Sequence, residues 1–154
     1  MPMYRFVHEA ENNHTLEWIP LDVRRKLDLA GVKLSLSTWQ LLSMSERREL
    51  CELDGEGALA EAFGERVIEL SHQVGVEPKL IEAVGWPAQW SSETARQAAV
   101  DVIRKHHAQL AEKLTRQGWA SLSDALRFAL DRYLEEAGSA RFASILGEIE
   151  RALG

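Results

Sequence analysis

From Trp18 to Cys51 the chain reads WIPLDVRRKLDLAGVKLSLSTWQLLSMSERRELC, with helix stop and start signals spaced so closely that only a string of short helices satisfies them. Pro20 has no amide hydrogen and a fixed φ, which suits the first turn of a helix, and Asp22 is favoured there by the helix dipole. Val23, Leu27 and Ala30 fall at i, i+4 and i+7, which leaves Arg24, Arg25 and Asp28 for solvent. Gly31 then fits the left-handed position that closes a helix, with Val32 reaching back onto Leu27.

Beyond Gly31, Val32, Leu34 and Leu36 alternate with Lys33, Ser35 and Ser37, the pattern of a short extended connector with one side on a core. Ser37 and Gln40 have capping-box spacing and Leu36 and Leu41 have staple spacing, so a second helix is expected from Thr38. Ser43 and Glu46 repeat the box and predict a third start before Arg47 to Leu53.

The flanks follow the same grammar. Tyr4, Phe6 and His8 alternate with Arg5, Val7 and Glu9, an extended arm, and residues 9–15 read as loop. Asp54-Gly55-Glu56-Gly57 reads as a flexible acidic linker. Leu59, Phe63, Val67, Leu70 and Val74 predict an amphipathic helix that Gly75 stops, and Pro78 predicts a brief helix over Lys79 to Val84. A long helix is expected from Ser91 or Ser92 to about Gln117, stopped by Gly118. Ser121 with Asp124 predicts the next start, and Ser139 caps a terminal helix with Phe142, Ile145, Leu146, Ile149 and Leu153 on its apolar face. The fold expected is all-α: a single compact helical domain over 1–154, with about six to seven helices and a short extended N-terminal arm.

One echo runs through this pattern. Trp39, Leu42, Ser43, Arg47 and Leu50 recur as Trp119, Leu122, Ser123, Arg127 and Leu130, each eighty residues on. Either one helix-corner unit occurs twice, or two helix starts have converged on similar capping and core residues.

The net charge of −6 is uneven, since residues 51–75 hold six carboxylates and one arginine and so supply −5 of it. With no basic stripe to offset that face, nucleic acid is not an expected partner. No apolar run approaches the roughly 18 residues of a membrane helix, and the first residues lack a signal core, so a cytoplasmic protein with no membrane partner is expected. Cys51 is alone, which excludes an intrachain disulfide and a thiolate cage.

Candidate chemistry is sparse. His106 and His107 are adjacent on a helix, point about 100° apart and cannot readily chelate one ion. His106 falls on the apolar stripe, where a packed or capping role is expected. No metal site, cofactor motif or catalytic constellation emerges, so the chain is expected not to be an enzyme. Arg24, Arg25 and Lys33 sit in the most basic stretch, which is either a solvated face or a docking face for an acidic surface or anionic cofactor. Trp86 and Trp90 bracket Pro87 and are either packed or interface anchors. Partner binding is therefore placed on Arg24, Arg25, Lys33, Trp86 and Trp90. The alternative is a small-molecule or anionic-cofactor pocket near Arg24, Arg25 and His106, and a homo-oligomer through Trp86 and Trp90 is a third reading.

The run Ile19-Pro20-Leu21, Val23-Arg24, Lys26-Leu27-Asp28, Gly31-Val32-Lys33-Leu34-Ser35-Leu36 and Trp39, followed by Glu46-Arg47, resembles the nitrate reductase-associated protein family of bacteria. The likeness covers Tyr4 to Leu53, thins through the acidic segment and returns at Trp119-Ala120-Ser121-Leu122 and Arg127-Phe128-Ala129-Leu130. Trp18 stands where the family typically has a cysteine, so no thiol role carries over, and residues 58–117 look longer than in the family. The resemblance implies a non-enzymatic accessory or maturation protein that supports a molybdenum-dependent nitrate reductase through that enzyme or a molybdenum-cofactor protein.

Overall fold

A computed structural model describes residues 3–154, and their regular structure is helical apart from one two-stranded ladder. The chain divides into two compact units, the described part of Met1–Arg5 with Glu9–Pro87, and Phe6–His8 with Ala88–Gly154.

In the first unit, Pro20 is the N-cap of α2 (Leu21–Ala30), and Gly31 closes it at φ 75° with its N–H on the carbonyls of Leu27 and Asp28. A side chain at Gly31 would be strained twice, because an added Cβ would also lie 2.8 Å from the Ile81 carbonyl oxygen. Strand β1 (Val32–Lys33) pairs antiparallel with β2 (Lys79–Leu80), Val32 opposite Leu80 and Lys33 opposite Lys79. The helix expected over Lys79 to Val84 is thus a strand and loop, since the exposed edge after Gly31 supplies ladder bonds that a lone turn after Pro78 cannot match. Ahead of α2, the expected loop contains α1 (Ala10–Thr15), and the expected extended arm tightens into a 3-10 turn at Val7–Glu9.

Next come α3 (Leu36–Leu41) and α4 (Met44–Glu52), which meet at Leu42. Ser35, rather than Ser37, caps α3, accepting from the Thr38 amide, while Ser43 and Glu46 form the expected capping box. Helix α5 (Ala60–Gln73) buries Phe63, Val67 and Leu70, which join Val23, Leu27, Trp39, Leu42 and Leu50 in one core. Each such side chain contributes about 1.5–3 kcal/mol.

In the second unit the expected long helix is three. Ser92 caps α6 (Glu93–Arg104) as expected, His107 caps α7 (Ala108–Lys113), and Thr115 caps α8 (Arg116–Ser121). Gly118 is therefore inside α8 rather than a stop, and a Cβ there would collide with the Lys113 carbonyl oxygen. Ser123, not Ser121, caps α9 (Asp124–Tyr133), and Ser139 caps α10 (Ala140–Leu153). Ten α-helices are described in place of six or seven because breaks set by side-chain caps fall inside continuous apolar periodicity.

The eighty-residue echo is a repeated piece of structure. Leu42 and Leu122 turn their corners at φ −70°, ψ 149° and φ −71°, ψ 149°. Trp39 Nε1 donates to the Leu16 carbonyl at 2.8 Å, and Trp119 Nε1 to the Ser91 carbonyl at 3.1 Å. Arg47 donates to the carbonyls of Leu16, Trp39 and Gln40, and Arg127 to those of Trp119 and Leu122 and to the Ser91 hydroxyl. Each corner leads on to a 14-residue helix, with Phe63, Val67 and Leu70 buried in α5 and Phe142, Leu146 and Ile149 in α10.

Candidate functional site

The basic stretch of α2 divides into buried and exposed cations. Lys26 is 2% exposed, and its ammonium donates to the carbonyls of Leu50 (2.8 Å), Cys51 (3.1 Å) and Leu53 (2.7 Å). It thereby satisfies acceptors that the C-terminus of α4 would leave open. Its alkyl stem lies on Gly55, its ammonium is 5.1 Å from the Phe63 ring centroid, and burial lowers its pKa.

Arg25, expected in solvent, is 4% exposed: Nε donates to Asp22 Oδ1 at 2.6 Å and Nη2 to Glu56 Oε1 at 2.8 Å. Asp22 Oδ2 in turn accepts from the Tyr4 amide at 2.8 Å. The segment expected as a flexible acidic linker is therefore tied to α2, because Glu56 completes the shell of a buried guanidinium. Arg24 is half-buried and Lys33 is exposed on β1.

Cys51 lies in the same core, and burial pushes its thiol up to about 11, opposed by Lys26. Near neutral pH it is a packed apolar group rather than a thiolate.

The tryptophan pair separates. Trp86 is 50% exposed. Trp90 is 3% exposed, with Nε1 donating to Asp124 Oδ1 at 2.9 Å and its ring edge-on to Phe128 at 4.9 Å between centroids. Its indole is committed to the core of the second unit. Leu59, Leu80 and Ile81 are also exposed in the first unit, as are Trp18 and Leu41 beside the α3–α4 corner. Leu59, expected on the apolar stripe of α5, and Leu41, expected in a staple with Leu36, are left outside because each lies at the end of its helix, beyond the packed part of the stripe.

The second unit holds a half-open cavity of about 300 Å³ with His106, His107, Phe142, Leu146 and Glu150 on its wall. His107 Nδ1 accepts from the Leu110 amide at 3.2 Å and Nε2 lies 3.3 Å from Glu150 Oε2, so both ring nitrogens are engaged. His107 thus takes the capping role expected of His106, which is exposed with its ring 6.1 Å from that of Phe142. Neither Arg24 nor Arg25 lines this cavity.

His8, also in the second unit, lies between Phe6 and Tyr133, at 5.8 and 6.0 Å between ring centroids. Its Nδ1 is buried with no hydrogen-bond partner among the described residues. Burial lowers its pKa below the ordinary 6.5, against the attraction of Glu148. The unfolded chain then binds more protons than the folded one, so this contribution is complete above about pH 6.5 and is lost as pH falls through the depressed value. A urea-midpoint profile should decline on acidification through that window, and His8→Gln should flatten the decline.

Among the described residues no three His, Cys, Asp or Glu side chains converge as a metal-holding group, and no helix is long and apolar enough to cross a membrane. Comparison with curated proteins and with solved structures finds no match. Residues 4–146 match the family model described as conserved nitrate reductase-associated protein, the middle segment 58–117 included. With that match spanning both compact units and both copies of the Trp-Arg corner, the chain belongs to the conserved nitrate reductase-associated protein family.

Proposed function

We propose that the chain is a non-enzymatic accessory protein that acts by binding another protein during assembly or activity of a molybdenum-dependent nitrate reductase. The observation that carries this reading is the family match over residues 4–146. The side chains left over by the fold are consistent with it. Arg25 and Trp90 are bonded inside their units, whereas Lys33 and Trp86 present a cation and an indole outward from the first unit. An exposed tryptophan is a strong interface anchor, and truncating one at the centre of an interface costs about 2–4 kcal/mol of binding.

The test is capture of a tagged chain from its own cells grown on nitrate, with deletion of the chromosomal copy in parallel. The expected result is recovery of nitrate reductase or a molybdenum-cofactor protein, weakened by Trp86→Ala, and slower nitrate reduction in the deletion. Recovery of neither protein together with intact nitrate reduction would overturn the reading. The cavity beside His106 favours a small-molecule reading, and it involves neither Arg24 nor Arg25.

A further inference from the structure

The ladder between β1 and β2 puts two lysines face to face. Ile81 donates its amide to the Gly31 carbonyl at 2.9 Å, so Lys33 and Lys79, two residues along each strand, form the next hydrogen-bonded pair. Residues directly opposite in such a pair share a face, with Cβ atoms about 5 Å apart, and like charges there destabilise the ladder. Among the described residues neither ammonium has an ion pair, and both side chains are exposed. The fold therefore keeps two lysines directly opposite each other at a position where a neutral or oppositely charged pair would be more stable.

Both lysines border a half-open cavity of about 220 Å³. Leu34, Val76 and Pro78 supply apolar wall, and the Ser35 hydroxyl, bonded to Thr38 Oγ1 at 2.8 Å, supplies a polar edge. Glu77 also borders the cavity, with Oε2 3.0 Å from His72 Nε2. Two ammoniums against one carboxylate leave the lining net positive. The volume lies below the about 300–1,000 Å³ of sites for drug-sized ligands, so the occupant is small. The connector at the corresponding place in the second unit is the helix α7, with no strand among its described residues, so this pocket is not part of the repeated corner.

We propose that the cavity beside Lys33 and Lys79 binds a small amphipathic oxyanion, its carboxylate or phosphate group between the two ammoniums and its short apolar body on Leu34, Val76 and Pro78. Oxyanion binding relieves the repulsion across the ladder while making two charge-assisted hydrogen bonds. The site does not depend on the accessory reading, because it is argued from strand register and cavity lining alone.

The test is amide-resolved NMR titration of the labelled full chain with hexanoate, monohexyl phosphate, inorganic phosphate and hexanol, each at millimolar concentration. Saturable shifts at Lys33 to Ser35 and at Lys79 and Leu80 are expected with hexanoate, monohexyl phosphate or both, and the better of the two names the head group. Inorganic phosphate should bind more weakly and hexanol should leave these amides unmoved. Lys33→Gln and Lys79→Gln should each weaken binding about tenfold. Both variants lose a repulsive pair, so folding is retained and is checked by the unchanged spectrum elsewhere. The proposal is overturned if neither organic anion shifts these amides, if hexanol shifts them equally, or if the two variants bind as the parent does.

Discussion

Lys26→Met is expected to lower the unfolding free energy by about 3 kcal/mol, read as a drop in urea midpoint at constant slope. Methionine keeps the stem that lies on Gly55 and faces Phe63, so packing changes little. What disappears is the donor to three carbonyls, those of Leu50, Cys51 and Leu53. Orphaned buried acceptors cost about 1–3 kcal/mol each, and part of that sum is offset because a buried ammonium no longer has to be desolvated. The offset has a visible sign in the protein, since burial already lowers the Lys26 pKa. Arg48→Ala on the exposed face of α4 is the control, with a change within about 0.5 kcal/mol. A loss for Lys26→Met no larger than that control would mean that water or backbone relaxation replaces the ammonium at the end of α4.

Lys26 also marks where sequence reasoning stops. Helix α2, the Gly31 stop, the Ser43–Glu46 box and the apolar faces of α5 and α10 are legible because each is decided by residues within a few positions of one another. The charged residues of α2 are not. Periodicity assigns Arg25 to solvent, and the partner that buries it, Glu56, lies on a segment that looks like an unstructured acidic linker. One local signal points the other way: Asp22 and Arg25 are an i, i+3 pair, and Lys26 is one turn past Val23, on the flank of the apolar stripe. The division of the long helix is hidden because the apolar repeat runs on across His107 and Thr115. Extending the eighty-residue echo backwards from Trp119 sets Thr115 against Ser35, the cap of α3, and locates the start of α8. Of the five candidate partner residues, Arg25 and Trp90 are buried for one reason, that a polar atom on a large side chain can be satisfied inside a fold by a residue far away in sequence.

Trp39→Ala should be the most destabilising single change in the first unit, at about 3–5 kcal/mol, since the side chain is fully buried and its Nε1 holds the Leu16 carbonyl. The more discriminating variant is Trp39→Phe, which keeps most of the ring and removes the donor, and should cost about 1–2 kcal/mol. Because Arg47 Nη1 reaches the same carbonyl at 3.1 Å, Trp39→Phe and Arg47→Ala act on a shared acceptor and should not add: the second loss abolishes a contact that the first had left as the only one. The second corner has the same arrangement around one residue, with Trp119 Nε1 on the Ser91 carbonyl and Arg127 Nε on the Ser91 hydroxyl at 3.0 Å. Because the two donors there reach different atoms of Ser91, Trp119→Phe and Arg127→Ala should reproduce the single costs with a coupling of the same sign but smaller size, measured as a double-mutant cycle in urea. Similar cycles in the two corners would make the Trp-Arg pair the shared stabilising device of the repeat, a clasp that joins the carbonyl end of a six-residue helix to the strap running past it. Additive losses in either corner would mean that the matching residues fill similar places without sharing the work of holding that strap.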